Sequence, residues 1–201
     1  MARRLQIDAG AYLWLALGLL VLPVKWLAAG IVAAGIHEFA HWTAAKMLGV
    51  RIQKIFIGSW GCRMETEEMP YLKEILCALA GPVGSLLLLL TVNWFPRLAI
   101  CGGVQGLFNL LPIYPMDGGR VLRGLLCILA GEDWAGRICR IVEIGVSALI
   151  LAGAAILSLR YKCGMIPLIF GMILCIKAFQ PKNSLQTGAS QGTIELPFLK
   201  R

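Results

Sequence analysis

Both histidines of this 201-residue chain lie one helical turn apart, in the stretch GIHEFAHW at residues 35–42. The pattern is His-Glu-x-x-His, formed by His37, Glu38 and His41. In a helix this spacing puts both imidazoles on one face, where they can occupy two corners of a tetrahedral metal site. Glu38 is then placed to take a proton from a water on the metal. The pattern predicts a hydrolytic metal centre, and the alternative is a pair of core histidines satisfied by hydrogen bonds.

The residues around the motif predict the helix that it requires. Residues 33–48 contain no proline, and Gly49 follows where glycine commonly ends a helix.

The composition predicts that this helix lies in a membrane. The chain is 58% hydrophobic and 15% charged, with a mean hydropathy of +0.75, unlike a typical soluble domain. A spanning helix needs about 20 apolar residues. Six apolar runs come near that length: 9–24, 26–48, 75–95, 98–113, 138–159 and 163–179. We therefore expect an all-α polytopic membrane protein with about six transmembrane helices, in which buried imidazoles are costly and usually functional.

The remaining segments complete the predicted organisation. Residues 50–68 alternate branched or aromatic residues with polar ones around Gly58 and Gly61, which predicts a short β-hairpin near the membrane face. Residues 1–180 are expected to form one intramembrane domain. Residues 181–201, rich in Ser, Thr, Gly and Gln, are expected to form a flexible cytoplasmic tail.

The basic residues orient this arrangement. With the N-terminus inside, one side collects fifteen of the nineteen lysines and arginines, and the other has Lys25, Arg97, Arg160 and Lys162. Basic loops favour the cytoplasmic side, so both termini are expected there. The net charge of +8 then reflects this topology and contact with anionic lipid. The basic clusters lack interleaved aromatic residues, so no nucleic-acid partner is expected.

A catalytic zinc ion has three protein ligands and a fourth position for water, so one ligand remains to be found. The seven cysteines are scattered without a CxxC pair and are interpreted as small buried hydrophobic residues. Two carboxylates are expected at membrane depth, Asp117 and Glu143. Arg140 precedes Glu143 by three residues, a spacing at which side chains meet on a helix, so we expect Glu143 to pair with it.

Asp117, in NLLPIYPMDGGR, has the stronger context. Pro112 and Pro115 end an apolar run, and Gly118 and Gly119 allow a sharp turn, which predicts an unwound stretch containing Asp117. Within a membrane such backbone survives only where it is buried in protein or lines a wet cavity, as a hydrolytic site requires. The alternative is a Pro/Gly loop with a solvated aspartate.

Together these motifs resemble the site-2 protease family of intramembrane zinc metalloproteases. The resemblance rests on HEFAH at residues 37–41, on N-x-x-P-x-x-P-x-D-G-G at residues 109–119, and on an AGP-type motif at residues 80–82. No PDZ insertion lies between the spans. Met116 replaces a leucine that many members have before the aspartate. Ser85 replaces a common asparagine, which weakens the expectation of a polar role there.

The resemblance implies roles for individual residues. It implies three zinc ligands, His37, His41 and Asp117. It implies that Glu38 is the base that activates water, that Asn109 orients substrate or stabilises the reacting carbonyl, and that Pro112 and Pro115 shape the path of an extended peptide. An amide can donate to a developing oxyanion. The alternative for Asn109 is an amide that satisfies backbone groups freed near Pro112.

These features predict an intramembrane zinc endopeptidase that cuts a membrane-associated protein substrate in or next to its membrane segment. The layout is most similar to the stage IV sporulation protein FB branch, which implies sigma-factor precursor activation in a bacterial cytoplasmic membrane. The expected partners are the substrate, the lipid bilayer and membrane regulatory proteins. The alternative is a membrane metal carrier or metal-binding scaffold without hydrolysis, which would not need Glu38.

A helical substrate hides its amides in hydrogen bonds and must unwind before cleavage. The predicted hairpin, at residues 50–66, could then pair with the unwound strand by β-augmentation, and proline substitutions at residues 55–57 would test this pairing.

Overall fold

The structure, a computed structural model, describes residues 5–7, 9–58, 61–114, 116–161 and 172. The predicted tail at residues 181–201 lies outside the described residues. So do Pro115 and, apart from Met172, the predicted sixth span at residues 163–179.

The described part of the chain is mostly helical. Its elements in chain order are β1 (Leu5–Ile7), α1 (Ala9–Val21), α2 (Val24–Met47), β2 (Ile52–Gly58), β3 (Gly61–Thr66), α3 (Tyr71–Leu87), α4 (Pro96–Asn109), α5 (Asp117–Ala130) and α6 (Glu132–Tyr161). A 3-10 turn, Leu88–Thr91, continues α3.

Helix α2 is unbroken over 24 residues and carries the His-Glu-x-x-His motif. Pro23 immediately precedes this helix. Proline is compatible with the start of a helix, whereas inside a helix it removes a backbone hydrogen bond. At the other end Gly49 has a φ of 70°, the left-handed conformation that glycine adopts without strain. The Val50 N–H donates to Ala45 O at 2.8 Å. This is the glycine-terminated end that the sequence predicts.

Helices α2 to α5 pack against one another, and α6 packs on α5. The contacts are close because small residues lie at the crossings. A Cβ at Gly84 would overlap Ala40, and a Cβ at Gly124 would overlap Ile75. Small residues of this kind let helix backbones approach within a membrane.

The described bundle exposes many large apolar side chains and buries mainly small residues. Ala33, Ala78 and Ala99 are fully buried, whereas Leu20 and Leu129 are 84% and 79% exposed. Extensive exposure of large apolar side chains is a liability in water but suits contact with lipid, and small buried residues are typical of packed membrane helices.

Two described helical segments, Tyr71–Thr91 and Glu132–Arg160, are long and apolar enough to cross a membrane. Helices α1, α4 and α5 have 13, 14 and 14 residues, fewer than the roughly 20 that span a bilayer. The predicted spans at 9–24 and 98–113 therefore correspond to short helices. The total of six spans stays a prediction.

The strands form one sheet in the order β1-β2-β3. Strand β3 pairs antiparallel with β2, with Gly58 opposite Gly61. Strand β1 pairs parallel with β2, with Leu5 opposite Ile55. This strand was not predicted from the sequence. Strand β2 is therefore central. Both edges of residues 55–57 are already paired, so this part of the predicted hairpin has no free edge for a substrate strand.

Asp117 is the first residue of α5 and does not lie within an unwound stretch as predicted. The irregular backbone precedes it. Gly118 and Gly119 are helical, and neither has the left-handed φ of a turn glycine. A Cβ at Gly118 would lie 2.0 Å from Leu110 O, and one at Gly119 would lie 2.6 Å from the carbonyl carbon of Ile113. The two glycines therefore serve close packing of residues 110–114 against the first turn of α5.

Candidate metal centre

The structure brings together the three side chains that the sequence predicts as ligands. Helix α2 supplies His37 and His41, whose Nε2 atoms are 3.1 Å apart. Helix α5 supplies Asp117, whose Oδ2 atom lies 3.1 Å from His37 Nε2 and 3.2 Å from His41 Nε2. His37 and Asp117 are buried, at 3% and 7% exposure. Three electron-pair donors thus meet at one point inside the bundle.

Helix α3 holds the imidazole of His41 in a defined state. Its Nδ1 is 2.7 Å from the carbonyl oxygen of Cys77. A carbonyl can only accept a hydrogen bond, so Nδ1 carries the proton and, in the neutral ring, Nε2 presents its lone pair to the centre. A ligating histidine is usually fixed by a hydrogen bond of this kind from its other ring nitrogen.

Ser85 has the same relationship to His37. The Ser85 hydroxyl is 2.9 Å from His37 Nδ1 and is fully buried. Its oxygen can accept a hydrogen bond from the Nδ1–H of His37 and leave Nε2 available for a metal. The doubt about a polar role at this position was wrong, because the Ser85 hydroxyl lies within hydrogen-bond distance of the imidazole.

Gly81 lies directly against both imidazoles. A Cβ added there would lie 2.2 Å from His41 Nε2 and 2.8 Å from His37 Cε1. The position must therefore lack a side chain if α3 is to lie this close to the histidines.

The donor set fits a zinc ion. Two histidines and a carboxylate are a common ligand set of catalytic zinc, and Zn–N distances of about 2.0–2.1 Å place tetrahedral ligands about 3.3 Å apart. The observed separations of 3.1–3.2 Å are close to this value. Within the described ranges, no other three His, Cys, Asp or Glu side chains are grouped in this way. Glu143, the other carboxylate considered from the sequence, is not part of the group.

Glu38 follows His37 on α2 and is partly exposed. It precedes His41 by three residues, a spacing at which side chains meet on a helix. A base in this position lies beside the centre without occupying one of the three ligand positions.

The predicted substrate-binding residues lie at the other end of the irregular segment. Asn109 is the last residue of α4, and its Nδ2 donates to Gln105 O at 3.0 Å. This bond is made within α4. The alternative interpretation expected a bond to the backbone near Pro112, which is not the bond observed. Pro112 is half-buried. The roles of Asn109, Pro112 and Pro115 in binding substrate stay predictions.

The contact of three groups on α3 with the histidines was not predicted from the sequence, although the spacing of these groups indicates a shared face. Cys77, Gly81 and Ser85 follow one another at intervals of four residues and therefore share one helix face. This face contacts the histidines through the Cys77 carbonyl and the Ser85 hydroxyl, and Gly81 between them leaves room for the imidazoles.

The comparisons with known proteins agree with this geometry. No protein-family model matches the chain. It is 34% identical over 109 residues to a zinc metalloprotease of Methanocaldococcus jannaschii, covering 47% of this chain and 32% of that protein. It is 31% identical over 134 residues to stage IV sporulation protein FB of Bacillus subtilis, covering 59% of this chain and 46% of that protein. The chain thus spans about a third to a half of the length of these curated relatives.

The fold comparison covers nearly the whole chain. The site-2 protease from Methanocaldococcus jannaschii has the same fold, with a TM-score of 0.65 and 22% sequence identity, over 92% of this chain and 94% of that chain. The chain therefore has the fold of a site-2 protease, and the curated proteins that it resembles include named zinc metalloproteases. The predicted resemblance is confirmed. The site-2 protease fold explains how α2 and α5, separated by 76 residues between His41 and Asp117, meet at one point.

Proposed function

We propose that this chain is an intramembrane zinc endopeptidase that hydrolyses a peptide bond in or next to a membrane segment of a protein substrate. The observation that carries the proposal is the convergence of His37 Nε2, His41 Nε2 and Asp117 Oδ2 within 3.1–3.2 Å of one another, with Glu38 beside them. The names of the relatives, among them zinc metalloproteases, support it.

A zinc ion held by these three atoms would supply Lewis-acid activation of the attacking water and of the scissile carbonyl. The chain supplies the proton transfers and the orientation of the ligands. Glu38 accepts the proton of the attacking water on a carboxylate oxygen and delivers it to the nitrogen of the leaving amine. The Cys77 carbonyl and the Ser85 hydroxyl keep the Nδ1 protons of the histidines turned away from the centre.

The proposed location is a bacterial cytoplasmic membrane, which the chain crosses several times with both termini in the cytoplasm. Three observations support this location: the two long apolar helices, the exposed leucines around a core of small residues, and the unequal distribution of lysine and arginine among the predicted loops. The proposed six-span layout places the zinc ligands at membrane depth.

The proposed substrate is a membrane-associated protein, whose cleaved segment binds in an extended form. Asn109 would donate to the substrate or to the reacting carbonyl, and Pro112 and Pro115 would line the path of the peptide. Similarity to a sporulation protein, together with the family resemblance, makes a sigma-factor precursor the first substrate class to test.

The outer edge of β3 is the proposed contact for the unwound strand. Strand β2 is paired on both sides, whereas β3 pairs with β2 alone among the described strands. An exposed strand edge presents backbone N–H and C=O groups that an extended peptide can pair with. The proposal therefore narrows the β-augmentation contact from the hairpin at residues 50–66 to its second strand, residues 61–66.

Co-expression with candidate single-span or peripheral membrane proteins tests the activity. Wild type should yield a shortened product. Glu38→Gln should yield at least ~100-fold less, because general acid–base catalysis typically contributes 10²–10⁴-fold. If Glu38→Gln processes substrate at the wild-type rate, the protease mechanism is wrong. If wild type binds zinc and cleaves none of the candidates that a related protease cleaves, the metal-carrier alternative is favoured.

A further inference from the structure

Glu143 is a buried carboxylate that the proposed reaction does not use. It lies in α6, within the apolar segment Glu132–Arg160, and is 2% exposed. A carboxylate at such depth is costly unless it is hydrogen-bonded, and in a membrane segment it is usually functional. Arg140, the partner predicted from the spacing, is exposed.

The Glu143 carboxylate contacts the backbone of the segment that precedes Asp117. Glu143 Oε1 accepts a hydrogen bond from the Tyr114 N–H at 2.9 Å. Tyr114 lies in the irregular segment between α4 and α5. Neighbouring N–H groups of that segment bond locally, Ile113 to Leu111 O and Met116 to Ile113 O, both at 2.8 Å. The Tyr114 N–H instead joins the segment to α6.

The same segment is pressed against the first turn of α5. Ile113 is 2% exposed, and a Cβ at Gly119 would lie 2.7 Å from the Tyr114 nitrogen, the atom that donates to Glu143. The Tyr114 backbone therefore contacts both Glu143 and the start of α5. A shift of the Tyr114 backbone would be transmitted to the turn that begins with Asp117.

We propose that Glu143 is a positioning residue for Asp117: its carboxylate oxygen accepts the Tyr114 N–H and so fixes the start of α5 relative to the two histidines. This inference rests on the proposed function, because it takes Asp117 to be a zinc ligand. What Glu143 supplies is an acceptor atom at the correct reach, and its negative charge is not required.

Two conservative variants separate reach from charge. Glu143→Gln keeps the side-chain length and a carbonyl oxygen that can accept the bond. Glu143→Asp keeps the charge but is one methylene shorter. Ser147→Ala is the control, since Ser147 lies one turn further along α6, is fully buried and has a hydroxyl without a hydrogen-bond partner among the described residues.

The measurements are zinc affinity, by chelator competition on the purified full chain, and the visible absorption spectrum of the Co²⁺-substituted protein, which reports ligand geometry. Glu143→Gln and Ser147→Ala should match wild type. Glu143→Asp should bind zinc about 10–100-fold more weakly, as loss of a group that orients a ligand typically does, and its Co²⁺ spectrum should change.

Either of two results would overturn the proposal. One is wild-type affinity and spectrum for Glu143→Asp, and the other is loss of affinity in Glu143→Gln. A wild-type protein that binds no zinc would instead refute the proposed function itself, so the two failures are distinguishable.

Discussion

Gly81 and His41 are in contact without any side chain on the glycine: a Cβ at position 81 would lie 2.2 Å from His41 Nε2. Helix α3 therefore approaches the metal centre as closely as its backbone allows. The AGP-type motif at residues 80–82 thereby acquires a physical explanation, because its glycine leaves room for the imidazoles.

Gly81→Ala should weaken zinc binding while leaving the fold intact. The methyl group would push on His41 Nε2 and His37 Cε1, and overpacking of this kind costs about 1–3 kcal/mol, which corresponds to about 5–150-fold in affinity. Gly35→Ala is the matched control, since position 35 is in α2 and no described residue lies within 4 Å of an added Cβ. Chelator competition on both variants measures the difference. Equal zinc affinities would show that the imidazoles can move at no cost.

Ser85→Ala should also weaken zinc binding, for a different reason. The variant removes the hydroxyl that lies 2.9 Å from His37 Nδ1 and leaves that ring free to rotate or change tautomer. Loss of such a partner typically costs 10–100-fold in metal affinity. Ser147→Ala, which removes a buried hydroxyl that makes no hydrogen bond within the part of the chain that the structure describes, should have wild-type affinity. A similar loss in both variants would attribute the effect to packing and not to the histidine.

The histidine motif was predictable because its information is local. His37, Glu38 and His41 are linked by helical periodicity, and neither proline nor glycine interrupts the residues between them. Asp117 could be predicted as the third ligand, because few carboxylates are expected at membrane depth and because it lies in the family motif. Its local structure was not, because Gly118 and Gly119 were interpreted as turn residues. Packing against residues 110–114 explains them better, and tertiary contacts of this kind override local propensity.

The groups around the ligands required the fold. Nothing local to Glu143 indicates that it bonds to the Tyr114 N–H, 29 residues earlier in the chain. The pairing of β1 with β2 is equally non-local, since it joins Leu5 to Ile55. By contrast, the shared face of Cys77, Gly81 and Ser85 follows from spacing alone, but only the packing of α2 on α3 shows what that face contacts.

Proline scanning of β3 tests the proposed contact with substrate. Adjacent residues of a strand direct their N–H groups to opposite edges. Of Arg63→Pro and Met64→Pro, one removes a donor at the outer edge and the other a donor that faces β2. We expect the outer-edge variant to bind zinc normally and to cleave less, measured by zinc content and product yield. Unchanged cleavage with both variants would exclude pairing through β3.

Removal of the metal should abolish cleavage reversibly. Stripping zinc with a chelator leaves Glu38 in place but removes the activation of water and carbonyl, so product formation should stop and return when Zn²⁺ is added. Because a bound ion stabilises only the folded state, the thermal midpoint should also fall on stripping. The same midpoint shift should be absent in His41→Ala, which lacks a ligand. Cleavage that persists after complete stripping would contradict a metal mechanism.

The most direct test of the metal centre is the zinc content of purified Asp117→Asn beside that of wild type and Glu38→Gln. Three ligands hold a catalytic zinc ion, and loss of the carboxylate charge should remove one of them. We expect about one zinc per chain in wild type and in Glu38→Gln, and a small fraction of that in Asp117→Asn. Full zinc content in Asp117→Asn would contradict the assignment of His37, His41 and Asp117 as the ligands.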